Sequence, residues 1–273
     1  MRLALAQLNS SPDTAANLAQ CAAHMRAAAQ AGAALIVFPE NALFRGTDDG
    51  YRAHAQRVPG PLTERLAALS AELRIGAVWG SIIEAADGGL YNTTVAFDAQ
   101  GGLRATYRKM HLFEFYRDGA LLYRESDLFL FGKTPVVMPQ PPFVLGFSIC
   151  YDVRFPELFR ALVERGANVL IVAADFVQTT GRTHWLPLLQ ARAIENLAYV
   201  VAVDQCGPIP DSDCHSHGNS CVISPWGEVL AQMDGETPGL CIAELTDEAI
   251  RAARSRIHSL EHRQLYPEYA VDI

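Results

Sequence analysis

Short apolar runs alternate with longer helical patterns along the chain. Ala34–Phe38 and Val169–Ala173 are apolar at every position, which is typical of strands buried on both faces. Similar or alternating runs predict strands at Leu3–Gln7, Gly76–Ile83, Tyr91–Phe97, Leu103–Tyr107, Phe143–Ile149, Tyr199–Val203, Ser220–Ile223, Val229–Met233 and Leu240–Leu245. Capping residues and periodicity predict helices from Asp13 to Gly32, Pro61 to Leu73, Pro156 to Glu164, Trp185 to Asn196 and Thr246 to Arg256.

These elements fall into two similar halves, each a mixed set of strands and helices. Two such halves bury their apolar faces most economically when sheet stacks on sheet and helices cover both outer faces. The alternative is one doubly wound sheet of the Rossmann type, but no Gly-rich phosphate loop follows any predicted strand. The pattern therefore predicts an α/β fold, a four-layer α-β-β-α sandwich that forms a single domain over residues 1–273. The longest unpatterned stretch, Lys109 to Lys133, is a candidate functional loop.

Composition and charge narrow the class of protein. Of the 273 residues 50% are hydrophobic and 19% are charged, which excludes a disordered chain, and six cysteines are too sparse for a disulfide scaffold. The net charge of -8 argues against binding to nucleic acid or to an anionic membrane. Apolar runs such as Ala198–Val203 are too short to span a bilayer. The first residues lack the pattern of a signal peptide, so we expect the protein in the reducing cytoplasm.

Three reactive side chains stand at the ends of predicted strands, where α/β proteins usually place their sites. Most glutamates are solvated surface residues, but burial of Glu40 after Ala34–Phe38 would raise its pKa, as a general base requires. Lys109 is either a surface lysine or a cation that stabilises an oxyanion. Most single cysteines are inert, but Cys150 lies just before a helix, whose dipole together with a nearby cation would favour its thiolate.

A second group of reactive residues lies further along the chain. Cys206, Cys214, His215 and His217 form a candidate zinc site. Their spacing matches no C-x₂-C or H-x₃-H pattern, and prolines and aspartates interrupt the stretch. We therefore expect no metal and interpret this stretch as a loop at the rim of the active site.

The motifs around these residues resemble those of the nitrilase superfamily of carbon–nitrogen hydrolases. The resemblance is carried, in this order, by Pro39-Glu40, Arg108-Lys109-Met110-His111-Leu112 and Ile149-Cys150-Tyr151-Asp152-Val153-Arg154-Phe155-Pro156-Glu157. It continues through Tyr91-Asn92-Thr93, Thr179-Thr180-Gly181, His184-Trp185, Ala191–Asn196, Gly218-Asn219-Ser220 and Pro225-Trp226-Gly227, and thus covers nearly the whole chain. Within the superfamily the motifs are most similar to the Nit-type amidases, a branch that includes amidases of 2-oxoglutaramate and of deaminated glutathione.

This resemblance implies covalent amide hydrolysis without a cofactor. It assigns Cys150 as the nucleophile, Glu40 as the general base, and Lys109 with the N–H of Tyr151 as the stabilisers of the oxyanion. Glu125 resembles the second glutamate of the family and would position the lysine and the substrate amide. The resemblance further implies a four-layer fold of the nitrilase type and a homodimer or higher homo-oligomer, to which the aromatic tail 263–269 can contribute.

A carboxylate-bearing amide needs a cation in its pocket. The candidates are Arg117, Arg124, Arg154 and Arg182. Arg154 is close in sequence to Asp152 and Glu157, so ion pairing within the motif is at least as good an explanation of its charge. We therefore prefer Arg117 or Arg182 as substrate-binding residues.

Two neighbouring residues bear on the pocket. The resemblance places Phe176 in the substrate-binding wall, whereas Asp175 departs from the family pattern and adds a negative charge there. The same catalytic set also serves N-carbamoyl amino acid hydrolases and nitrilases. A non-enzymatic thiol or zinc protein is the remaining alternative, but no resolving cysteine lies within a few residues of Cys150, and that alternative explains neither Glu40 nor Lys109.

Overall fold

Two mixed six-stranded sheets form the framework of the computed structural model, which describes residues 1–264 apart from the side chain of Arg117. The first sheet contains β1 (Arg2–Gln7), β2 (Leu35–Val37), β3 (Gly76–Ala86), β4 (Gly89–Phe97), β5 (Leu103–Arg108) and β16 (Gly239–Glu244). The second contains β8 (Val137–Gln140), β9 (Phe143–Ile149), β10 (Val169–Ala174), β11 (Tyr199–Asp204), β14 (Cys221–Ile223) and β15 (Val229–Gln232). The strand orders are β16-β1-β2-β3-β4-β5 and β15-β14-β11-β10-β9-β8, with β1-β2-β3 and β9-β10-β11 parallel.

The described residues form the helices α1 (Thr14–Gln30), α2 (Asp48–His54), α3 (Pro61–Leu73), α4 (Pro156–Glu164), α5 (Gln178–Asn196) and α6 (Asp247–Arg256). Four of them cover the outer faces of the sheets. α1 and α3 pack on the first sheet, and α4 and α5 pack on the second. The layers therefore run helix, sheet, sheet, helix, which confirms the predicted α-β-β-α sandwich. Within the described part of the chain, no helix is long and apolar enough to cross a membrane.

The side chains of β1 alternate between two apolar layers. Leu3 and Leu5 lie between the sheets, in the same cluster as Phe147 of the second sheet. Ala4 faces the other way, into the cluster that contains Met25 of α1. Each fully buried Leu or Phe contributes about 1.5–3 kcal/mol to folding, so the layer between the sheets holds them firmly together.

The carboxyl ends of parallel strands from both sheets meet at one edge of the sandwich. Leu8, which follows β1, forms an isolated bridge with Gln205, which follows β11. The N–H of Cys206 donates to the Leu8 carbonyl at 2.7 Å. Since β2 leads into Glu40 and β9 leads into Cys150, this edge collects the strand ends that carry the candidate chemistry.

The predicted loop from Lys109 to Lys133 contains a hairpin, formed by β6 (Glu114–Arg117) and β7 (Ala120–Arg124). Its turn, Asp118-Gly119, has positive φ at both residues, 51° and 81°, as a type I′ turn requires. An Asp-Gly dipeptide is itself a hairpin signal, so the sequence contained the information that locates this turn.

One helix begins where the sequence predicts, and another begins earlier. α1 begins after Asp13 as predicted, because the Asp13 carboxylate accepts from the Ala16 N–H at 3.0 Å. α5 begins at Gln178 rather than at Trp185. A Cβ on Gly181 would come within 2.3 Å of the His217 ring, so the close packing of the helix against this ring requires a glycine here.

Candidate active site

The turn after β2 directs Glu40 into the interior. Phe38 stacks on Trp79 with ring centroids 4.4 Å apart, and Asn41 adopts a left-handed backbone at φ 59°. Gly80 on β3 lies against this turn, where a Cβ would come within 2.2 Å of the Phe38 carbonyl oxygen, so only glycine fits. The local packing leaves Glu40 only 4% exposed.

Lys109 follows β5, and its ammonium group lies between two carboxylates. Nζ donates to Glu40 Oε1 at 2.9 Å and to Glu125 Oε1 and Oε2 at 3.0 and 2.9 Å. Asn92 on β4 bridges the same carboxylates, since its Nδ2 donates to Glu40 at 2.7 Å and to Glu125 at 3.2 Å. Glu125 follows β7 directly and accepts from the Phe113 N–H at 2.7 Å. These side chains form one buried network of hydrogen bonds and ion pairs.

Cys150 directly follows β9 and starts a short 3₁₀ helix with a left-handed backbone at φ 46°. Such a φ is uncommon outside glycine, and Asp152 stabilises the turn. The Asp152 carboxylate accepts from the Ile149 N–H at 2.9 Å and from the Tyr107 hydroxyl at 2.6 Å. It also accepts from the His111 N–H at 3.0 Å and contacts His111 Nδ1 at 2.7 Å. Because Tyr107 lies on the first sheet, the nucleophile turn is fixed to both sheets.

Burial and neighbouring charges set the protonation of the cluster. Burial raises the pKa of Glu40 above 4.5; Lys109 opposes this effect, and Glu125 and Asp175 add to it. Burial acts to lower the pKa of Lys109, but the carboxylates of Glu125 and Glu40 bring it well above 10.5. Burial, followed by the charge of Glu40, raises the pKa of the Cys150 thiol well above 9.0, against the opposing charge of Lys109. Burial beside Glu40 therefore works against the thiolate that the helix dipole and the nearby cation favour, and it makes a base necessary to take the proton of Cys150.

The cluster opens into a cavity of about 320 Å³. Of the predicted site residues, this cavity is lined by Glu40, Lys109, Glu125, Cys150, Tyr151 and Phe176. Further aromatic wall residues are Tyr51, Phe113, Phe115, Tyr123 and Phe129. An apolar wall around a few convergent polar groups, at this volume, is typical of a small-molecule site.

Arg182, one of the two preferred carboxylate-binding arginines, and Arg124 do not line this cavity in the described structure. Arg182 lies on α5, donates to Gln178 Oε1 at 3.2 Å and borders a separate, open depression. Arg124 pairs with Glu114 on the exposed hairpin. The side chain of Arg117 lies outside the described residues.

Arg154 is an arginine that does line the catalytic cavity. The ion pair considered between Arg154 and Asp152 or Glu157 is not formed. Asp152 bonds to other groups, and Arg154 makes no ion pair with any residue that the structure describes. Its guanidinium contacts His184 Nδ1 at 3.2 Å and lies 5.3 Å from the centre of the Phe176 ring and 5.7 Å from that of Tyr151. Within residues 1–264, a cation packed on aromatic rings therefore faces the cavity without an ion-pair partner.

The candidate zinc residues lie in a hairpin of β12 (Cys206–Pro208) and β13 (His215–His217). Ile209, Ser212 and Cys214, from the loop that joins these strands, line the cavity, as expected for a rim loop. Over residues 1–264, no group of three or more His, Cys, Asp or Glu side chains is placed to hold a metal ion.

Several residues of the site were not predicted to act in it. Asn92 and Asp152 lie within the motifs, and the signal that could have found them is a polar side chain next to a buried strand. Asp175 stood out as a departure from the family pattern, but its partner was not predicted. The structure pairs it with Arg45, which gave no sequence signal.

Comparison with known proteins gives a consistent result. The family model for carbon-nitrogen hydrolase matches residues 2–255. The chain is 37% identical over 262 residues to a deaminated glutathione amidase of Synechocystis (94% of this chain, 96% of that protein). It is 34% identical over 268 residues to an omega-amidase of Xenopus tropicalis (95% and 96%). Nit3 of Saccharomyces cerevisiae, a member of branch 10 of the nitrilase superfamily, superposes with a TM-score of 0.84 at 29% identity, covering 94% of each chain.

Proposed function

Because this chain belongs to the carbon-nitrogen hydrolase family and is an amidase, we propose that it hydrolyses a small carboxylate-bearing amide through a thioester on Cys150, with release of ammonia. The observation that carries the proposal is the meeting of Glu40, Lys109, Glu125 and Cys150 at one buried cavity. One thiol, two carboxylates and one ammonium group supply a nucleophile, a base and an oxyanion stabiliser.

In the first half-reaction Glu40 takes the proton of the Cys150 thiol, and Sγ attacks the carbonyl carbon of the amide. Lys109 and the N–H of Tyr151 stabilise the oxyanion; that N–H lies at the start of a 3₁₀ helix, where N–H groups have no partner within the helix. Glu40 then gives its proton to the amide nitrogen, the C–N bond breaks and ammonia leaves. The acyl group remains on Sγ.

In the second half-reaction Glu40 takes a proton from a water molecule, which attacks the thioester carbonyl. The C–S bond breaks, the carboxylic acid leaves and the thiol of Cys150 is restored. Glu125 acts as a positioning residue, because its two oxygens hold Lys109 at 3.0 and 2.9 Å. No step of this sequence draws on a cofactor.

The substrate carboxylate is assigned to Arg154 rather than to Arg182. Arg154 faces the cavity without a counter-ion among the described residues, whereas Arg182 borders another depression. A planar guanidinium pairs with a carboxylate through two parallel hydrogen bonds, which orients the substrate as well as holding it. The relatives named for deaminated glutathione and for omega-amides support a carboxylate-bearing amide as the substrate.

The test is ammonia release by the purified protein from 2-oxoglutaramate, deaminated glutathione, glutamine and an N-carbamoyl amino acid. We expect release from an oxo-acid amide, its loss in Cys150→Ala, and its retention in the control Cys241→Ala, whose thiol lies outside the cavity. Intact-protein mass spectrometry should detect an acyl adduct in the active protein and none in Cys150→Ala. Release from the carbamoyl compound alone would keep the mechanism and discard the substrate, while full activity of Cys150→Ala would refute both.

We also propose that the protein is a homodimer. Ile194, Trp226, Val229 and Leu230 are exposed apolar side chains, and Ile194 lies close to Gly227 in the turn between β14 and β15. Exposed apolar surface of this kind is typical of an interface. Light scattering should show a dimer at micromolar concentration and a monomer for Trp226→Asp; a monomeric wild-type protein would refute the proposal. The tail 263–269 lies outside the described residues from 265 onward.

The reducing cytoplasm remains our prediction for the compartment. All six cysteines carry free thiols, which is consistent with a reducing environment.

A further inference from the structure

A buried ion pair lies beside the catalytic cluster. Asp175 follows β10 directly, and its carboxylate accepts from Arg45 Nε at 2.8 Å and from Arg45 Nη2 at 2.7 Å. Ser216 Oγ on β13 and Asn41 Nδ2, the latter at 3.3 Å, donate to the same carboxylate. Arg45 is only 1% exposed, so removal of either partner would leave a charge in a site that water hardly reaches.

The main-chain N–H of Asp175 lies beside the base, at the cavity that Glu40, Cys150 and Asp175 all line. It donates to Glu40 Oε2 at 3.0 Å, and it also acts to lower the pKa of the Cys150 thiol. The other oxygen of Glu40 is held by Lys109 and Asn92, which belong to the first sheet. The Asp175 N–H therefore ties the Glu40 carboxylate to the sheet that carries Cys150.

Arg45 anchors this arrangement to two other parts of the chain. Its Nη1 lies 3.4 Å from Asn9 Oδ1 and 3.3 Å from the Pro208 carbonyl oxygen. Its Nη2 donates to Ser216 Oγ, and its main-chain N–H donates to the Ser11 carbonyl at 3.2 Å. These contacts fix the guanidinium to the segment after β1 and to the rim hairpin, so its carboxylate partner is held in one place.

We propose that Arg45 and Asp175 form a positioning pair, which holds the Asp175 N–H beside Glu40 and keeps base and nucleophile in reacting geometry. This inference rests on the proposed function of the site. Neither side chain reacts, because each acts through Glu40. The competing explanation is an ion pair that only stabilises the fold and leaves proton transfer unchanged.

Charge distinguishes the two explanations. The titratable groups that face Glu40 are Lys109, Glu125, Asp175, Cys150, Tyr51, Tyr123 and Asp204. Loss of the Asp175 charge leaves Arg45 uncompensated and favours the ionised form of Glu40. Loss of the Arg45 charge has the opposite effect. An ion pair that acts on Glu40 therefore predicts opposite pH shifts for the two single substitutions.

The experiment measures the pH dependence of Cys150 alkylation by iodoacetamide, followed by peptide mass spectrometry, and needs no substrate. The acid limb is the pH range in which the alkylation rate rises from its low-pH value. We expect this limb to move to lower pH by about one unit in Asp175→Asn and to higher pH by about one unit in Arg45→Met, with the double variant near wild type. The matched control is Glu84→Gln, since Glu84 accepts from Arg108 at 2.8 and 2.6 Å outside the cavity. This control should lower thermal stability and leave the limb in place.

Turnover gives a second readout. For the amide that the wild type hydrolyses, we expect Asp175→Asn to lower kcat about a hundred-fold and to change KM by less than about threefold, because the pair positions groups and does not bind substrate. Arg45→Lys keeps the charge but loses the two parallel hydrogen bonds. We therefore expect the acid limb of the alkylation profile to stay at its wild-type pH, while kcat falls. If Arg45→Met does not fold, the comparison of Asp175→Asn with Arg45→Lys remains a test, because only the loss of a charge should move the limb.

The outcomes separate the inference from the function on which it rests. A limb that stays in place in both Asp175→Asn and Arg45→Met, or that moves in the same direction in both, overturns the positioning role and leaves a structural ion pair. If the limbs move as expected but the wild-type protein releases no ammonia from any amide, the proposed function fails and the positioning role stands.

Discussion

The two sheets supply different kinds of group to the catalytic edge. From the first sheet come charges that are already paired, since Glu40 and Lys109 bond to each other and to Glu125. Apart from Asp175, which is paired with Arg45, the second sheet supplies groups without a counter-ion at hydrogen-bond distance among the described residues: the thiol of Cys150, the guanidinium of Arg154, and the carboxyl of Asp204, whose Oδ2 has no hydrogen-bond partner there. The first sheet is thus prepared for proton transfer, and the second presents groups that are free to change partner.

Two buried carboxyls show what this difference means. Burial raises the pKa of Glu40 and, to well above 3.8, that of Asp204. Glu40 has the ammonium of Lys109 at 2.9 Å, whereas the first opposing contact of Asp204 is only the Phe176 N–H. Burial therefore makes both groups more basic, and at Glu40 an adjacent cation opposes this effect.

The largest expected effect comes from removing the charge of Glu40. We expect Glu40→Gln to lower kcat a hundred-fold or more, on the order of the contribution of a general base. In the wild type, activity should fall as the pH drops through the raised pKa of Glu40, so the acid limb should lie above 4.5. Ammonia release between pH 4 and 9 measures both. The double variant with Cys150→Ala should be no slower than Cys150→Ala alone, because the two groups act as a unit; near-normal turnover by Glu40→Gln would contradict the contrast between the sheets.

The next effect concerns the unpaired guanidinium. We expect Arg154→Gln to raise KM for a carboxylate substrate by roughly thirty-fold, since a hydrogen bond to a charged group contributes about 2 kcal/mol. Arg182→Gln is the matched control and should leave KM unchanged, because Arg182 borders the other depression. Initial rates with the acid and with its methyl ester measure the effect. A rise in KM for Arg182→Gln alone would restore the assignment made from the sequence.

The smallest effect concerns the stability of the fold. Because the folded state raises the pKa of Asp204, it retains a proton that the unfolded chain releases above 3.8, so stability is full below that pH and is lost as the pH rises towards the raised pKa. Relative to Asp204→Asn, the wild type should lose about 1.4 kcal/mol of unfolding free energy per pH unit in this range. Urea unfolding at pH 5 and pH 6 measures the difference. Equal losses in the two proteins would show that Asp204 is ionised in the fold.

Much of this architecture follows from local patterns in the sequence. Runs such as Val169–Ala173 and the cap at Asp13 predict their elements because burial and capping act over a few residues. The catalytic residues were located from strand ends and motifs. The pairing of Arg45 with Asp175 was not, because the two residues are far apart in the sequence and meet only when the sheets stack.

The protonation of the Cys150 sulfur shows a second limit of prediction from the sequence. The position of Cys150 before a helix indicates a thiolate, but the structure buries the sulfur beside Glu40, and both effects favour the thiol. Desolvation depends on atoms contributed by the whole fold, so a short sequence window contains little information about it. The same reasoning applies to Arg154. The sequence permits an ion pair with Asp152, but in the folded protein Tyr107 and His111 already bond to that carboxylate.

The apolar layer between the sheets also sets a reaction distance, since Glu40 and Cys150 are attached to opposite sides of it. Leu5, Tyr107 and Phe147 belong to this layer, and a protein interior is packed as densely as an organic crystal. The thickness of this layer therefore fixes the distance between the Glu40 carboxylate and the Cys150 sulfur. We expect a side chain of the layer that is one methylene longer or shorter to change the reaction rate without contacting any reacting atom. Adaptation to cold, heat or pressure can then proceed through positions that do not contact the substrate.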